Sequence, residues 1–118
     1  MEAKKPIINH MVAELIGVDE DLLIDYNSLE KAVEEFIAKL DLKVVKKDKY
    51  DFSPKGTTAF FILSSSHLAI HTWPENNYLH LDLITCQKIP GKNKLKKILS
   101  GLFKIAEKEI KVREIPYD

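Results

Sequence analysis

The segment Leu63-Ser64-Ser65-Ser66-His67-Leu68-Ala69-Ile70-His71-Thr72-Trp73-Pro74-Glu75 sets three hydroxyls directly before two imidazoles and a carboxylate. Three readings fit such groups. A serine with a histidine base is the nucleophile pair of hydrolases, but it also needs an oxyanion hole, and in α/β-hydrolases the serine sits in a Gly-x-Ser-x-Gly elbow. This sequence has no such elbow. His67, His71, His80 and Cys86 have the right donor atoms for zinc, and His67 and His71 fall on one face of a strand, yet their spacing follows no zinc motif. The third reading is a core strand with Leu68 and Ile70 inward and polar residues outside. Residue types and spacing alone leave these readings open.

The elements that must position these groups can be read from pattern. With 118 residues the chain fits one domain, 1–118, small enough that association adds useful buried surface. Its 45% hydrophobic and 31% charged residues describe a globular protein, and no apolar run approaches the roughly 20 residues of a membrane helix. No membrane partner is expected. The N-terminus lacks the apolar block and cleavage site of a signal peptide, and Cys86 is the single cysteine, so a reducing, cytoplasmic location is expected. Eighteen basic and eighteen acidic residues cancel, leaving no global field for nucleic acid. The cluster Lys92-Asn93-Lys94-Leu95-Lys96-Lys97 reads as a solvated helix face.

Residues 8–18 alternate in strand fashion, and Asp19-Glu20-Asp21 reads as a turn. Asn27 and Glu30 have capping-box spacing ahead of Leu29, Val33, Phe36, Ile37 and Leu40, which predicts a helix over 28–40. Val44-Val45 opens a strand, and Ser53-Pro54-Lys55-Gly56 marks a turn. Strands follow near 57–63, 67–73 and 78–85. Pro90-Gly91 leads into a second helix with Leu95, Ile98, Leu99, Leu102, Phe103 and Ala106 on its buried stripe. A last strand spans 110–115. The order β-α-β-β-β-β-α-β predicts an α+β two-layer sandwich: an antiparallel sheet with two helices on one face. The other face is left open. Alternation along the fifth strand turns Leu79, Leu81 and Leu83 to the helices and Tyr78, His80, Asp82, Ile84 and Cys86 to that open face, a mixture suited to a dimer interface or a pocket.

The run Ser66-His67-Leu68-x-Ile70-His71-Thr72-Trp73-Pro74-Glu75, followed by Asp82-x-x-Thr85-Cys86, closely resembles the signature of the short prokaryotic S-adenosylmethionine decarboxylases, pyruvoyl enzymes of polyamine synthesis. The likeness extends to Phe52-x-Pro54-x-Gly56 and His10-x-Val12-Ala13-Glu14 and covers nearly the whole chain, the last 30 residues mainly in pattern. It implies self-cleavage between Ser65 and Ser66 into chains 1–65 and 66–118, with Ser66 becoming a pyruvoyl cofactor whose ketone forms a Schiff base with the substrate amine. It also implies a homodimer with sites completed by both protomers. By the same resemblance His71 removes the α-proton of Ser66 during cleavage, and Thr58 stands where the family has a helping serine. Cys86 matches the proton donor of decarboxylation, Glu75 the carboxylate on the ribose hydroxyls, and Phe52 the ring stacked on adenine.

Two positions depart from the family pattern. Ser65-Ser66 replaces Glu-Ser at the cut bond, and Thr85-Cys86-Gln87 replaces Thr-Cys-Gly. The acyl shift uses the carbonyl of residue 65 and not its side chain, so cleavage remains chemically available. A changed pocket admits two alternatives: a related arginine or ornithine decarboxylase, and an uncleaved homologue that serves as a binding partner. Parity adds a constraint. Ser66 and His71 are five residues apart and would face opposite ways on a regular strand, so Ser66 is expected at a strand edge or in a turn.

Overall fold

The computed structural model describes residues 3–117. The chain runs β1 (Asn9–Ile16), α1 (Glu20–Ile24), α2 (Tyr26–Lys39), β2 (Val44–Asp51), β3 (Thr57–Leu63), β4 (Ser66–Trp73), β5 (Tyr78–Thr85), α3 (Lys92–Phe103) and β6 (Ile110–Glu114), with single 3-10 turns at Pro74–Asn76 and Glu107–Glu109. The strands form one sheet in the order β2-β3-β4-β5-β1-β6, and every neighbouring pair is antiparallel. This is the expected α+β two-layer architecture.

Alternation builds the core. On β5, Leu79, Leu81 and Leu83 are fully buried, as are Leu68 and Ile70 on β4 and Met11, Ala13 and Leu15 on β1. They meet Leu29, Val33, Phe36 and Ile37 of α2 and Leu95, Leu99 and Phe103 of α3 in one continuous cluster. At roughly 1.5–3 kcal/mol for each large apolar side chain buried, this cluster is what holds the helices on the sheet.

Four local expectations are corrected. Asp19-Glu20-Asp21 is not a plain turn: Asp19 caps a short third helix by accepting the Asp21 N–H at 2.9 Å, and Leu23 of that helix is buried. Helix α2 begins at Tyr26 after the N-cap Asp25, ahead of the Asn27 box. Helix α3 stops at Phe103 because Lys104 takes a left-handed conformation (φ 57°), so Ala106 lies beyond it and is exposed. Cys86 lies one residue past β5 and is exposed, rather than in the row of Tyr78, His80, Asp82 and Ile84. The helix-free sheet face is half-buried and polar in patches. His10 bridges Asp82 and Tyr117 at 2.7 Å each, and Tyr78 donates to Glu14 at 2.7 Å.

Candidate active site at the two ends of a hairpin

The β3–β4 hairpin closes on Ser64 and Ser65, with Leu63 opposite Ser66. Two-residue hairpin loops usually take positive φ within the loop itself. Here the positive φ falls on Ser66, at 150°, a value that L-residues rarely adopt. Ser66 thus opens β4 at its edge, as parity required. Its hydroxyl makes no hydrogen bond among the described residues, whereas its neighbour is held firmly. The Ser65 carbonyl accepts the Cys86 N–H at 3.3 Å, and Ser65 Oγ lies 3.0 Å from Thr85 Oγ1. β5 pairs with β4 so that Thr85 faces Ser66, which brings Cys86 to the same end.

The other end of the hairpin gathers the remaining candidates. Thr58 and His71 are cross-strand partners, with Thr58 Oγ1 2.9 Å from His71 Nδ1. Phe52, Thr58, His71, Trp73 and Glu75 line one cavity of about 490 Å³. Gly56 is required at its rim: its φ is +107°, and a Cβ there would lie 3.2 Å from the Thr72 carbonyl. Glu75 rides on the 3-10 turn after Pro74, and Phe52 is braced edge-on by Tyr50 at 4.9 Å. Burial, and secondarily the nearby His80, push the His71 imidazole below its ordinary value, with Asp82 acting the other way. His71 is therefore neutral at pH 7 and able to accept a proton.

The candidate residues therefore divide into two groups within one chain. Ser65, Ser66 and Cys86 occupy the closed end; Phe52, Thr58, His71 and Glu75 the open end. Five residues of strand separate Ser66 from His71, roughly 16 Å at about 3.3 Å per residue. The zinc reading finds no geometry, since no group of three or more His, Cys, Asp or Glu side chains placed to hold a metal ion occurs among the described residues. The groove of about 480 Å³ on the helical side, among Asp19, Lys31, Glu35 and Lys104, brings no reactive pair together. Two contacts escaped the sequence reading. Thr85 stood in the quoted motif without a role, and its bond to Ser65 depends on strand register. Trp73, also within the motif, lines the cavity.

Residues 9–116 match the S-adenosylmethionine decarboxylase family model. The chain belongs to the S-adenosylmethionine decarboxylase family. An S-adenosylmethionine decarboxylase proenzyme of Archaeoglobus fulgidus is 36% identical over 95 residues, 80% of this chain and 85% of that protein. One of Clostridium botulinum is 32% identical over 106 residues, 90% of each. The crystal structure of the adenosylmethionine decarboxylase from Aquifex aeolicus superposes with a TM-score of 0.77 at 27% identity, covering 95% of this chain and 91% of that one. Against the family pattern, the hairpin tip carries the Ser65 departure and the end of β5 the Gln87 departure. Both fall at the closed end; Thr58, where the resemblance expects a serine, lies at the cavity end with Phe52, His71 and Glu75.

Proposed function

We propose that this chain is a self-processing, pyruvoyl-dependent decarboxylase that converts S-adenosylmethionine to its decarboxylated form for polyamine synthesis. One observation carries the reading: a free Ser66 hydroxyl on a positive-φ residue follows a carbonyl that already accepts a backbone N–H. Ser66 Oγ attacks the Ser65 carbonyl carbon, the new C–O bond forms, the peptide C–N bond breaks, and the hydroxyl proton passes to the released amine. The Cys86 N–H holds the oxygen that becomes negative in between. His71 then removes the Cα proton of residue 66 while the Cβ–Oγ bond breaks, leaving a carboxylate on Ser65. Tautomerisation and loss of ammonia to water leave a pyruvoyl group on residue 66. The ketone of that group supplies the electron sink for decarboxylating a bound amine.

The protein's own groups do the rest. In the tautomer that carries its proton on Nδ1, His71 donates to Thr58 Oγ1, 2.9 Å away, and the ring's lone pair sits on Nε2, the form a proton acceptor needs. Cys86 returns a proton to the substrate carbon from the closed end. Phe52 offers a flat face to adenine, and Glu75 accepts from two ribose hydroxyls. These two residues favour the nucleoside, since arginine and ornithine have no use for either group.

The separation of Ser66 from His71 supports a homodimer. No single protomer brings the two together, but a second copy laid face to face across the open sheet, with its strands reversed about an axis near Ala69, sets His71 of one protomer beside Ser66 of the other. The open face suits such a cover. Phe60, Ile62 and Trp73 are 43%, 42% and 44% exposed there, and the buried His80 Nδ1 has no hydrogen-bond partner among the described residues. The single cysteine, needed as a thiol, fits the reducing cytoplasm. Among the described residues no helix is long and apolar enough to cross a membrane.

The test is the intact mass of the purified protein together with carbon dioxide release from each candidate amine. The expected result is fragments 1–65 and 66–118, the second blocked by pyruvoyl, and turnover of S-adenosylmethionine. A chain that stays whole makes it a non-catalytic relative. A cut chain that turns over only ornithine or arginine overturns the substrate.

A further inference from the structure

Three consecutive serines pose a question of register. Any serine can in principle attack the carbonyl before it, so Ser65 attacking Ser64 would cut one bond earlier and place the new cofactor one residue out of step with Cys86. We infer that Thr85 decides between them: it is a positioning residue that holds Ser65 through the Ser65 Oγ to Thr85 Oγ1 contact, so that the cut falls only between Ser65 and Ser66. This rests on the self-cleavage proposed above and adds to it.

Thr85 is fully buried at the end of β5, and its Oγ1 accepts the Gln87 N–H at 3.1 Å, which fixes the rotamer. From there it meets Ser65 Oγ at 3.0 Å. Whichever oxygen donates, the Ser65 hydroxyl is turned toward β5 and engaged there, not spent on the Ser64 carbonyl. The next residue acts on the same target. Cys86 N–H reaches the Ser65 carbonyl at 3.3 Å, so the segment 85–86 engages Ser65 twice, occupying its hydroxyl and polarising its carbonyl. Ser64 is tied as well, its N–H donating to the Lys43 carbonyl at 2.9 Å. That leaves Ser66 as the serine with both an unengaged hydroxyl and an activated carbonyl before it. The family's usual glutamate at residue 65 carries no hydroxyl to compete, so a control of this kind matters where a serine stands in its place.

The experiment is mass analysis of the fragments from full-length variants. Thr85→Val keeps the branched shape and removes the hydroxyl. It is expected to raise the share of fragments 1–64 and 65–118 by about 2- to 12-fold over the parent's, the worth of one neutral hydrogen bond. Thr85→Ser should restore the single cut. Ser65→Ala with Thr85→Val should also cut only at 65/66, because the competing hydroxyl is gone. Thr85→Cys, whose thiol is a poor hydrogen-bonding group, should behave as valine does and serves if the valine variant does not fold. A single cut at 65/66 in both Thr85→Val and Thr85→Cys overturns the inference and leaves the proposed function standing. A parent chain that is never cut overturns both.

Discussion

The closed and open ends of the β3–β4 hairpin work with different parts of the polypeptide. At the closed end the controlling features belong mostly to the backbone: the Ser65 carbonyl, the Cys86 N–H and the φ of 150° at Ser66. At the open end they are side chains around a cavity, Phe52, Thr58, His71 and Glu75. Backbone features survive most substitutions, whereas a cavity is rewritten by each one. In the proposed mechanism the closed end would make the cofactor from the Ser66 hydroxyl and two backbone groups, which explains how cleavage chemistry stays available with Ser65 in place of glutamate. In the same proposal the open end binds the substrate.

The largest expected effect breaks the closed end outright. Ser66→Ala has no hydroxyl to attack with, and cleavage should fall to nothing detectable on a denaturing gel. The same variant sharpens the comparison when combined with a second. His71→Ala chains alone should stay whole, yet in mixed dimers with Ser66→Ala chains they should be cut, because the Ser66→Ala partner supplies His71 to the intact Ser66. Random mixing of equal amounts puts roughly half of the His71→Ala chains in such dimers, so cutting should approach that share. No cutting in the mixture would show that the two ends do not meet between protomers.

Next comes Cys86, the closed-end group whose side chain is assigned to the step after the cut. Cys86→Ala retains the backbone N–H on the Ser65 carbonyl, so at least partial cleavage should persist. Decarboxylation should drop by about 10²–10⁴-fold, the usual worth of a positioned proton donor. Equal turnover in variant and parent would remove the thiol from the reaction.

Side chains at the open end should show the reverse division. Phe52→Ala and Glu75→Gln should leave cleavage largely intact and raise KM for S-adenosylmethionine, each by about 1–3 kcal/mol of lost stacking or charge-assisted hydrogen bonding. Steady-state kinetics on the cut protein checks this. Loss of cleavage in either variant would mean that the cavity also governs processing.

The legibility of the two ends follows the same division. Period-2 alternation exposed β5 and its inward leucines directly, because burial of every second residue is written in residue type. The edge position of Ser66 was expected from its odd spacing to His71 together with the roles that the resemblance gives the two residues. The capped helix at Glu20–Ile24 was not legible: its acidic start reads as a turn, and the helix rests on the Asp19 cap and on the burial of Leu23 by the finished fold. Contacts set by register were equally hidden. The Thr58–His71 and Ser65–Thr85 bonds join residues 13 and 20 apart, and a shift of one residue in either ladder would remove them. The separation of Ser66 from His71 was legible as a number of residues but acquires its meaning only because one unbroken strand carries both.

The smallest expected effect concerns the acid limb of cleavage. His71 must be neutral to take the Ser66 α-proton, so cleavage slows as pH falls through the imidazole pKa. Burial chiefly, and His80 next, hold that pKa below the ordinary 6.5, while Asp82 pulls it up. The midpoint of the acid limb should therefore lie below 6.5. His80 is the direct cross-strand partner of His71, with ring centroids 6.1 Å apart, and a second cation forming there opposes protonation of the first. In His80→Gln that opposition is gone and Asp82 remains, so the midpoint should rise. It should still fall short of 6.5, because burial, the larger cause, is unchanged. Cleavage rates of freshly refolded chain across a pH series measure the shift. A midpoint that stays put or moves down would mean that His80 does not set the charge of His71, and that the open end tunes its base by burial alone.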